Sequence, residues 1–159
     1  WKLPIVFVVE NNQYSMGTPL KRSVPVEDIT ARAAGYGFAH DRFHVTSVRE
    51  TRDRIAAAVD RARRDNHPTL LELITYRFRG HSMSDPAKYR QKEEVETWRL
   101  QDPLERTLLA LQQLHGFDEA TLDGLDAKII AEVDAAYEFA DTTPQPPPEA
   151  RFENILVGE

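Results

Sequence analysis

The stretch that decides the fold is LPIVFVVENNQYSMGTP, residues 3–19. Its first part, residues 3–9, is a short, continuous run of β-branched and other apolar residues, which is typical of a strand buried in a parallel sheet. The chain then becomes polar at once, through Glu10, Asn11 and Asn12. We therefore predict a strand over residues 3–9 that lies inside a sheet and carries two asparagines at its carboxyl end.

Strand-like and helix-like patterns alternate after this stretch. The sequence predicts a loop at 11–25, a helix at 26–35, a weak strand at 42–47, an amphipathic helix at 48–65 and a strong strand at 69–76. We expect Pro25 to open the first helix, and Gly35 and Gly37 to end it. Because strands and helices alternate, the pattern predicts an α/β domain whose parallel sheet is flanked by helices.

The rest of the chain is predicted to be a loop followed by helices. Residues 77–94 are polar, and a connection of this length is usually functional. Asp102-Pro103 starts a helix that ends at about His115, before Gly116, and a second helix covers about 118–140. We divide the chain into residues 1–100 as the α/β domain with a functional loop at 77–92, residues 101–142 as a C-terminal helical extension, and residues 143–159 as an extended proline-rich tail.

The composition excludes several kinds of site. The 159 residues carry a net charge of −6, so we expect no nucleic-acid partner, which would need a basic surface. No apolar run reaches the ~20 residues of a membrane-spanning helix, so we expect no membrane partner. The absence of cysteine rules out disulfides, thiolate metal sites and cysteine nucleophiles. The chain begins at Trp1, almost directly on a strand, and we expect it to be cut from a longer polypeptide.

Polar side chains follow the two strong strands where each strand ends. Residues 11–14 follow the first strand and residues 76–82 end the second, and ligands of open parallel sheets bind outside the carboxyl ends of the strands. An asparagine oxygen near a main-chain carbonyl suits Mg²⁺, which prefers oxygen ligands and often shares them with a phosphate. Arg77, Arg79 and His81 could donate hydrogen bonds to that phosphate. The two strand ends are therefore candidates for a joint metal and phosphate site.

Each of these signals also has a simpler interpretation. Two asparagines after a strand are common turn residues, and a Gly-His-Ser segment such as residues 80–82 is more often a solvated connection than a catalytic one. The remaining histidines are expected to fill surface or core positions: His40, His44, His67 and His115.

Two longer stretches, taken together, resemble a known family. WKLPIVFVVENNQYSMGTP at residues 1–19 and TYRFRGHSMSDPAKYR at residues 75–90 are similar to segments of the alpha subunits of thiamine-diphosphate-dependent 2-oxo acid dehydrogenases, most of all in the pyruvate dehydrogenase (acetyl-transferring) branch. The resemblance extends over about residues 1–142. It implies a thiamine-diphosphate-binding fold, with thiamine diphosphate and Mg²⁺ as cofactors and residues 77–92 as the cofactor loop.

The resemblance implies roles for five residues. Asn12 matches the residue whose side chain is an Mg²⁺ ligand, and Tyr14 matches the residue whose main-chain carbonyl binds the same ion. His81 matches the histidine that contacts the diphosphate near the reacting centre, and it is implied to be catalytic. Arg77 is expected to bind the cofactor from the same loop and to steady that loop through ionic contacts. Ser82 matches the serine that kinases phosphorylate in mitochondrial relatives, so it is a candidate phosphorylation position.

The family pattern is incomplete in this chain. The metal motif of the family begins with Gly-Asp-Gly, which occurs nowhere in this sequence, so we expect its aspartate upstream of Trp1. The chain is therefore expected to be the C-terminal half of such a subunit and to be inactive alone. The segment DRFHVTS, residues 41–47, is shorter than in many relatives, which predicts a trimmed loop. Tyr89 and Arg90 close the cofactor loop in the family and are expected to contact neighbouring acids.

The function implied by the resemblance is that of the decarboxylating component of a 2-oxo acid dehydrogenase complex. Such a component oxidatively decarboxylates pyruvate and passes the acyl unit to lipoyl groups on an acyltransferase core. The implied partners are that core, the 2-oxo acid substrate and a beta subunit, which supplies the activating glutamate in an α2β2 assembly. We expect a bacterial cytoplasmic location rather than a mitochondrial or plastid one.

Three alternatives remain open from the sequence. The chain could be a stand-alone α/β module that binds a nucleotide or a protein and catalyses nothing. It could belong to a branched-chain 2-oxo acid or acetoin dehydrogenase, because the substrate is not fixed by these motifs. It could also be one half of an enzyme that is split over two polypeptides.

Overall fold

A computed structural model describes residues 1–155 of the chain. These residues contain the strands β1 (Val6–Asn11), β2 (Tyr14–Ser15), β3 (Thr18–Pro19), β4 (Ala39–His44) and β5 (Thr69–Ile74). Their helices are α1 (Leu20–Ser23), α2 (Ala33–Tyr36), α3 (Val48–Asp65), α4 (Lys92–Arg99), α5 (Pro103–His115) and α6 (Glu119–Thr142), and two 3₁₀ helices cover Ile29–Arg32 and Pro148–Phe152. The last residues of the predicted tail, 156–159, lie outside the described part.

Three of the strands form a parallel sheet in the order β1-β5-β4. β5 is central, and its Leu71 lies opposite Val8 of β1 and Asp41 of β4. The sheet and its flanking helices confirm the predicted α/β class with a parallel sheet. β2 and β3 pair in an antiparallel hairpin, within the stretch at 11–25 that we predicted to be a loop without strands.

The prediction that the first strand lies inside the sheet is wrong for the described residues. β1 pairs only with β5, so it is an edge strand, and Phe7 and Val8 remain 43% and 46% exposed. The strand also spans Val6–Asn11 instead of 3–9, so that Asn11 is its last residue. A continuous apolar run indicates a strand with two apolar faces, but it does not say which of two such strands takes the centre.

The two faces of β5 differ in chemistry, because alternate residues of a strand point to opposite faces. Leu71 packs with Phe43 of β4 and with Ala58 of α3 in the buried core. Glu72 points to the other face, where it accepts a hydrogen bond from the backbone N–H of Ile29, at the start of the first 3₁₀ helix. The sheet therefore has an apolar face under α3 and a buried carboxylate on the face opposite.

The first predicted helix, at 26–35, starts later than the sequence indicates. The carboxylate of Asp28 accepts from the backbone N–H two residues on at 2.9 Å and caps the 3₁₀ helix that leads into α2. Asp28, and not Pro25, therefore sets the start. Gly37 ends α2 with a left-handed φ of 68°, as predicted, whereas Gly35 lies within the helix.

Helix α3 agrees with the prediction at both ends. The Ser47 side chain accepts from the backbone N–H of Glu50 at 3.3 Å, and Asn66 ends the helix with a left-handed φ of 49°. The weak strand expected at 42–47 lies three residues earlier, as β4. Residues 45–47 connect β4 to α3, and the trimmed loop that we expected at 41–47 stays a prediction.

The C-terminal half contains one helix that the sequence reading missed. α5 and α6 agree with the two predicted helices, but α4 replaces the end of the loop expected at 77–94. Its eight residues make barely two turns, which is too short for a clear helical period. The tail, predicted to be extended, contains the 3₁₀ helix Pro148–Phe152.

The chain divides into two compact units between Leu111 and Gln112, inside α5. Our division of the chain into residues 1–100, 101–142 and 143–159 stays a prediction. In the part of the chain that the structure describes, no helix is both long and apolar enough to cross a membrane.

Candidate functional site

The carboxyl ends of β1 and β5 lie side by side. Asn11 and Ile74 are partners in the parallel register, and Thr75 extends the pairing by donating its backbone N–H to the Asn11 carbonyl at 2.9 Å. The polar residues that follow each strand therefore leave the sheet at the same end, where the carboxyl termini of the strands lie. The structure brings together the two segments that the sequence reading singled out, residues 11–14 and 76–82.

Residues 11–14 form a turn, which we call the Asn turn. The Asn11 Oδ1 accepts from the backbone N–H of Gln13 at 3.1 Å, and the Asn12 Oδ1 accepts from the backbone N–H of Tyr14 at 3.1 Å. Gln13 also returns a bond from its side-chain Nε2 to the Asn11 carbonyl at 3.1 Å, and it has a left-handed φ of 71°. Asparagine side chains of this kind replace backbone partners in a tight turn. Asn12 is partly buried, and its oxygen points back to the main chain of Tyr14.

One end of the Asn turn is tied to the central strand. The Asn11 Nδ2 donates to Oε1 of Glu72 at 2.6 Å, and both side chains are buried. The other carboxylate oxygen of Glu72 accepts from the Ile29 N–H and from the Arg42 Nε, both at 3.1 Å. Glu72 was not predicted as a site residue. The available signal was a single charged residue inside the apolar strand TLLELI.

The other end of the Asn turn is tied to α4. The hydroxyl groups of Tyr14 and Tyr76 donate to the same oxygen of Glu94, at 2.7 and 2.8 Å. Burial raises the pKa of both tyrosines, and the hydrogen bond to Glu94 raises the pKa of each further. Both hydroxyls therefore stay protonated and remain donors. Glu94 was not predicted either, because the sequence pattern did not indicate α4.

Arg90 lies near the end of residues 77–92, which we call the cofactor loop after the resemblance, and it binds back to the start of that loop. Its guanidinium donates to the main-chain carbonyls of Arg77, Phe78 and Arg79, the last two at 3.3 and 2.9 Å. We expected Arg90 to contact acids, and this expectation is wrong, because the carbonyls before Gly80 converge on the planar guanidinium. Tyr89 does contact an acid: its hydroxyl donates to Asp85 at 2.7 Å.

Asp85 organises the middle of the loop, where His81 lies. The Asp85 carboxylate accepts from the backbone N–H groups of His81 at 2.7 Å and Ala87 at 2.8 Å. These bonds, together with the Tyr89 hydroxyl, lower the pKa of Asp85 to about 2. The side chains of His81 and Ser82 are exposed. The loop thus fixes the backbone of His81 and leaves its imidazole exposed to solvent.

Arg77 connects the loop to the β2–β3 hairpin. It donates from Nη2 to the carbonyl of Met16 and to the Tyr89 hydroxyl, the latter at 3.1 Å. Within residues 1–155, Arg77 forms hydrogen bonds but no ion pair, so the ionic contacts that we expected for it are absent there. In the same residues, the Nε atoms of Arg77 and Arg90 are buried without a hydrogen-bond partner. Each of these two guanidinium groups therefore keeps one buried donor that the loop itself does not satisfy.

The oxygen donors of the Asn turn fit a hard cation. The Asn12 carboxamide and the Tyr14 main-chain carbonyl are neutral oxygen groups of the kind that Mg²⁺ accepts. Within the described residues, no group of three or more histidine, cysteine, aspartate or glutamate side chains is placed to hold a metal. The donor set of this chain therefore fits one part of an oxygen-ligand site.

Comparison with known proteins points to one family. The family model described as "Dehydrogenase E1 component" matches residues 1–149. The relatives that carry the name "Pyruvate dehydrogenase E1 component subunit alpha" include the following three. The protein from Zymomonas mobilis is 42% identical over 100% of this chain and 45% of its own length. Those from Rickettsia bellii and Rhizobium meliloti are each 37% identical over 99% of this chain and over 48% and 45% of their own lengths. The chain thus spans about half the length of these curated relatives.

Proposed function

Since the chain belongs to the dehydrogenase E1 component family, we propose that it forms the C-terminal half of the alpha subunit of a thiamine-diphosphate-dependent pyruvate dehydrogenase. The observation that carries the proposal is the meeting of the Asn turn and the cofactor loop at the carboxyl end of the sheet, where the Tyr14 ring lies 5.6 Å from the Tyr89 ring. Both segments lie in the stretches that resemble the family.

The Asn turn would hold the metal, and the cofactor loop would contact the phosphates. Asn12 would bind Mg²⁺ through its side-chain oxygen and Tyr14 through its main-chain carbonyl. His81 and Arg77 would donate to the diphosphate. The aspartate of the family motif Gly-Asp-Gly, which does not occur in residues 1–159, would come from a segment upstream of Trp1. Thiamine diphosphate, when bound, supplies the electron sink for decarboxylation, while the protein supplies binding and orientation.

His81 would also act in the reaction itself. Its imidazole is exposed, while the backbone N–H of the same residue is held by Asp85 at 2.7 Å. A histidine can hold or release a proton near neutral pH, so His81 would donate a proton, or stabilise charge, during transfer of the acyl group to a lipoyl group. The substrate would be pyruvate, as the names of the relatives suggest. A branched-chain 2-oxo acid or acetoin dehydrogenase is the alternative.

The site would be completed by other parts of the assembly. β1 is an edge strand, and such strands present unpaired backbone groups to a further strand. An upstream segment of the same polypeptide would cover this edge, where Phe7 and Val8 are exposed. A beta subunit would supply the activating glutamate in an α2β2 assembly, and a lipoyl-bearing acyltransferase core would take the product.

Ser82 would be the position at which phosphorylation regulates this site, if a kinase acts on this protein. Its side chain is exposed, with its Oγ 3.1 Å from that of Ser84. A phosphate there adds roughly −1.5 to −2 charges beside the place proposed for the diphosphate, so it would oppose ordering of the cofactor. The bacterial source of the three relatives supports a bacterial cytoplasmic location.

Calorimetry separates the proposal from a non-catalytic module. Thiamine diphosphate with Mg²⁺ is titrated into this 159-residue chain alone and into the full-length polypeptide that carries it, produced with its beta partner. We expect binding only in the second sample, because this chain supplies half of the site. Tight binding by the chain alone would contradict the proposal that a metal ligand lies outside this chain. No binding by either sample would favour the non-catalytic module.

A further inference from the structure

We propose that Glu72 is a positioning residue for the Asn turn. Its buried carboxylate, acting through Asn11, sets the orientation in which the turn presents the Asn12 side chain and the Tyr14 carbonyl. The link to metal binding rests on the proposed function. The control of the turn by Glu72 can be measured without any cofactor.

The burial of Glu72 calls for an explanation beyond packing. Its side chain is 0% exposed in the central strand, where every other residue from Leu70 to Ile74 is apolar. A buried charge lowers stability unless donors surround it, and an apolar residue would suit this position better. Glu72 instead receives hydrogen bonds from three different elements: Asn11 of β1, Ile29 of the 3₁₀ helix and Arg42 of β4.

The contact with Asn11 determines which end of the asparagine faces the turn. A carboxamide has a donor end and an acceptor end, and the 2.6 Å bond to Glu72 uses the donor end. The acceptor end is thereby directed to the Gln13 N–H at 3.1 Å. If the Asn11 amide reversed, Nδ2 would meet that N–H, and two donors would face each other.

The bond to Gln13 matters because its backbone is in a conformation that it does not favour. Its φ of 71° is left-handed, a region that residues with a side chain rarely occupy. Asn11 holds it there twice, through the Gln13 N–H and through the Gln13 Nε2, both at 3.1 Å. Tyr14 follows directly, so the direction of its carbonyl depends on Gln13. The chain of contacts therefore runs from Glu72 through Asn11 and Gln13 to the proposed ligands.

Exchanging the two polar groups tests this chain of contacts. In Glu72→Gln, the oxygen of the introduced amide is needed by Ile29 and Arg42, so its NH₂ group faces the Asn11 Nδ2 and either that bond or the bond to Gln13 is lost. In the double variant Asn11→Asp/Glu72→Gln, the carboxylate introduced at position 11 accepts from both the amide introduced at position 72 and the Gln13 backbone, so every bond is restored. The double variant also keeps the summed charge of the two positions.

A second buried polar residue of β5 provides the matched control. Thr69 is 1% exposed, and its Oγ1 accepts from Arg61 at 2.9 Å, with no contact to the Asn turn. Thr69→Val removes one part-buried hydrogen bond from the same strand. If Glu72 only supported the fold, Thr69→Val and Glu72→Gln would both lower the melting temperature and nothing else.

The variants are made in the full-length polypeptide with its beta partner, and two quantities are measured. Hydrogen exchange without cofactor reports the turn: we expect the amides of residues 13–14 to exchange about fivefold faster in Glu72→Gln, as expected for one lost hydrogen bond. Calorimetry at saturating thiamine diphosphate reports the metal: we expect the Mg²⁺ affinity to fall about tenfold, the effect typical of losing an outer-shell partner. Both quantities should return to wild-type values in the double variant and stay there in Thr69→Val.

The outcomes distinguish the two proposals. Unchanged exchange at residues 13–14 in a folded Glu72→Gln protein overturns the positioning role. Wild-type protein that binds no Mg²⁺ with thiamine diphosphate overturns the proposed function, while the exchange result still decides whether Glu72 controls the turn. If Glu72→Gln does not fold, the double variant decides: wild-type exchange and metal affinity support the inference, and a double variant that stays impaired or unfolded overturns it.

Discussion

Arg90 donates from Nη2 to the main-chain carbonyl of Arg79 at 2.9 Å, eleven residues earlier in the chain. The same guanidinium reaches the carbonyls of Arg77 and Phe78, so one planar group ties together three successive carbonyls. Two of these carbonyls belong to the arginines that the sequence marked as phosphate donors. Arg90 therefore shapes the backbone that carries those donors.

Arg90→Lys should loosen the cofactor loop. Lysine keeps the charge but has no planar fork, so it cannot bond all three carbonyls. We expect residues 77–90 to exchange amide hydrogens faster and the free energy of unfolding to fall by about 1–2 kcal/mol. Exchange followed by mass spectrometry checks this, with Arg63→Lys on the exposed face of α3 as the control. Equal protection of the loop in both variants would contradict the role of the guanidinium fork.

Gly80→Ala should displace the loop through steric conflict. A Cβ at Gly80 would lie 2.8 Å from the Cβ of Asp85 and closer still to the Asp85 carbonyl, which is backbone and cannot rotate away. We expect cofactor affinity to fall by about tenfold or more, since roughly 1.4 kcal/mol of strain suffices for that factor. Gly124→Ala in α6 meets no atom within 4 Å and should stabilise the protein by about 0.5–1 kcal/mol. Wild-type cofactor affinity in Gly80→Ala would mean that the loop tolerates the shift.

Asp85 predicts how the loop responds to acid. Its pKa in the folded protein is about 2, below the usual 3.8, because the backbone N–H groups of His81 and Ala87 donate to it. A lowered pKa means that the contribution of Asp85 is fully present above about pH 4 and is lost as the pH falls towards 2. The amide chemical shifts of His81 and Ala87 in the folded protein should therefore titrate with a midpoint near pH 2.

Asp85→Asn is the matched variant for this titration. An asparagine has one acceptor oxygen where the carboxylate uses both, so one of the two backbone bonds to residue 85 should be missing at every pH. The amide shifts of His81 and Ala87 should therefore not titrate below pH 4. A titration that persists in Asp85→Asn would assign it to another carboxylate.

Asn12→Ala should weaken binding of Mg²⁺ with thiamine diphosphate. The variant removes the proposed side-chain ligand and also the hydrogen bond from the Tyr14 N–H, which is 3.1 Å long. We expect at least a tenfold loss of affinity by calorimetry in the full-length protein with its beta partner. Asn12→Ser keeps a short oxygen acceptor for the turn, so its affinity should lie between those of the wild-type protein and Asn12→Ala. Unchanged affinity in Asn12→Ala would remove Asn12 from the proposed metal site.

His81→Ala should separate chemistry from binding. The imidazole is exposed and the loop is held by the backbone of His81, so removing the side chain should leave the loop intact. We expect acylation of lipoyl groups to fall by about 10²–10⁴-fold, the usual contribution of an acid–base group, with a smaller loss of cofactor affinity. Wild-type rates of decarboxylation and lipoyl acylation would contradict a catalytic role for His81.

Much of the site could be predicted because its parts are local in the chain. Asn12 and Tyr14 follow an apolar run, and parallel strands must end at a common edge, so the meeting of the two strand ends follows from the pattern. The resemblance to the family then supplied roles for single residues. Glu94 escaped prediction because it bonds Tyr14 across 80 residues, and such a contact leaves no local pattern.

The sequence by itself determined the types of the main elements, because hydrophobic periodicity and capping residues act within a few positions. Ser47 and Asn66 bound α3, and the apolar runs at β1 and β5 make them strands. Only the tertiary structure decided which strand is central and which polar atoms meet. Two strands of similar composition compete for the centre of the sheet, and a buried carboxylate such as Glu72 finds its donors only when three separate elements pack around it.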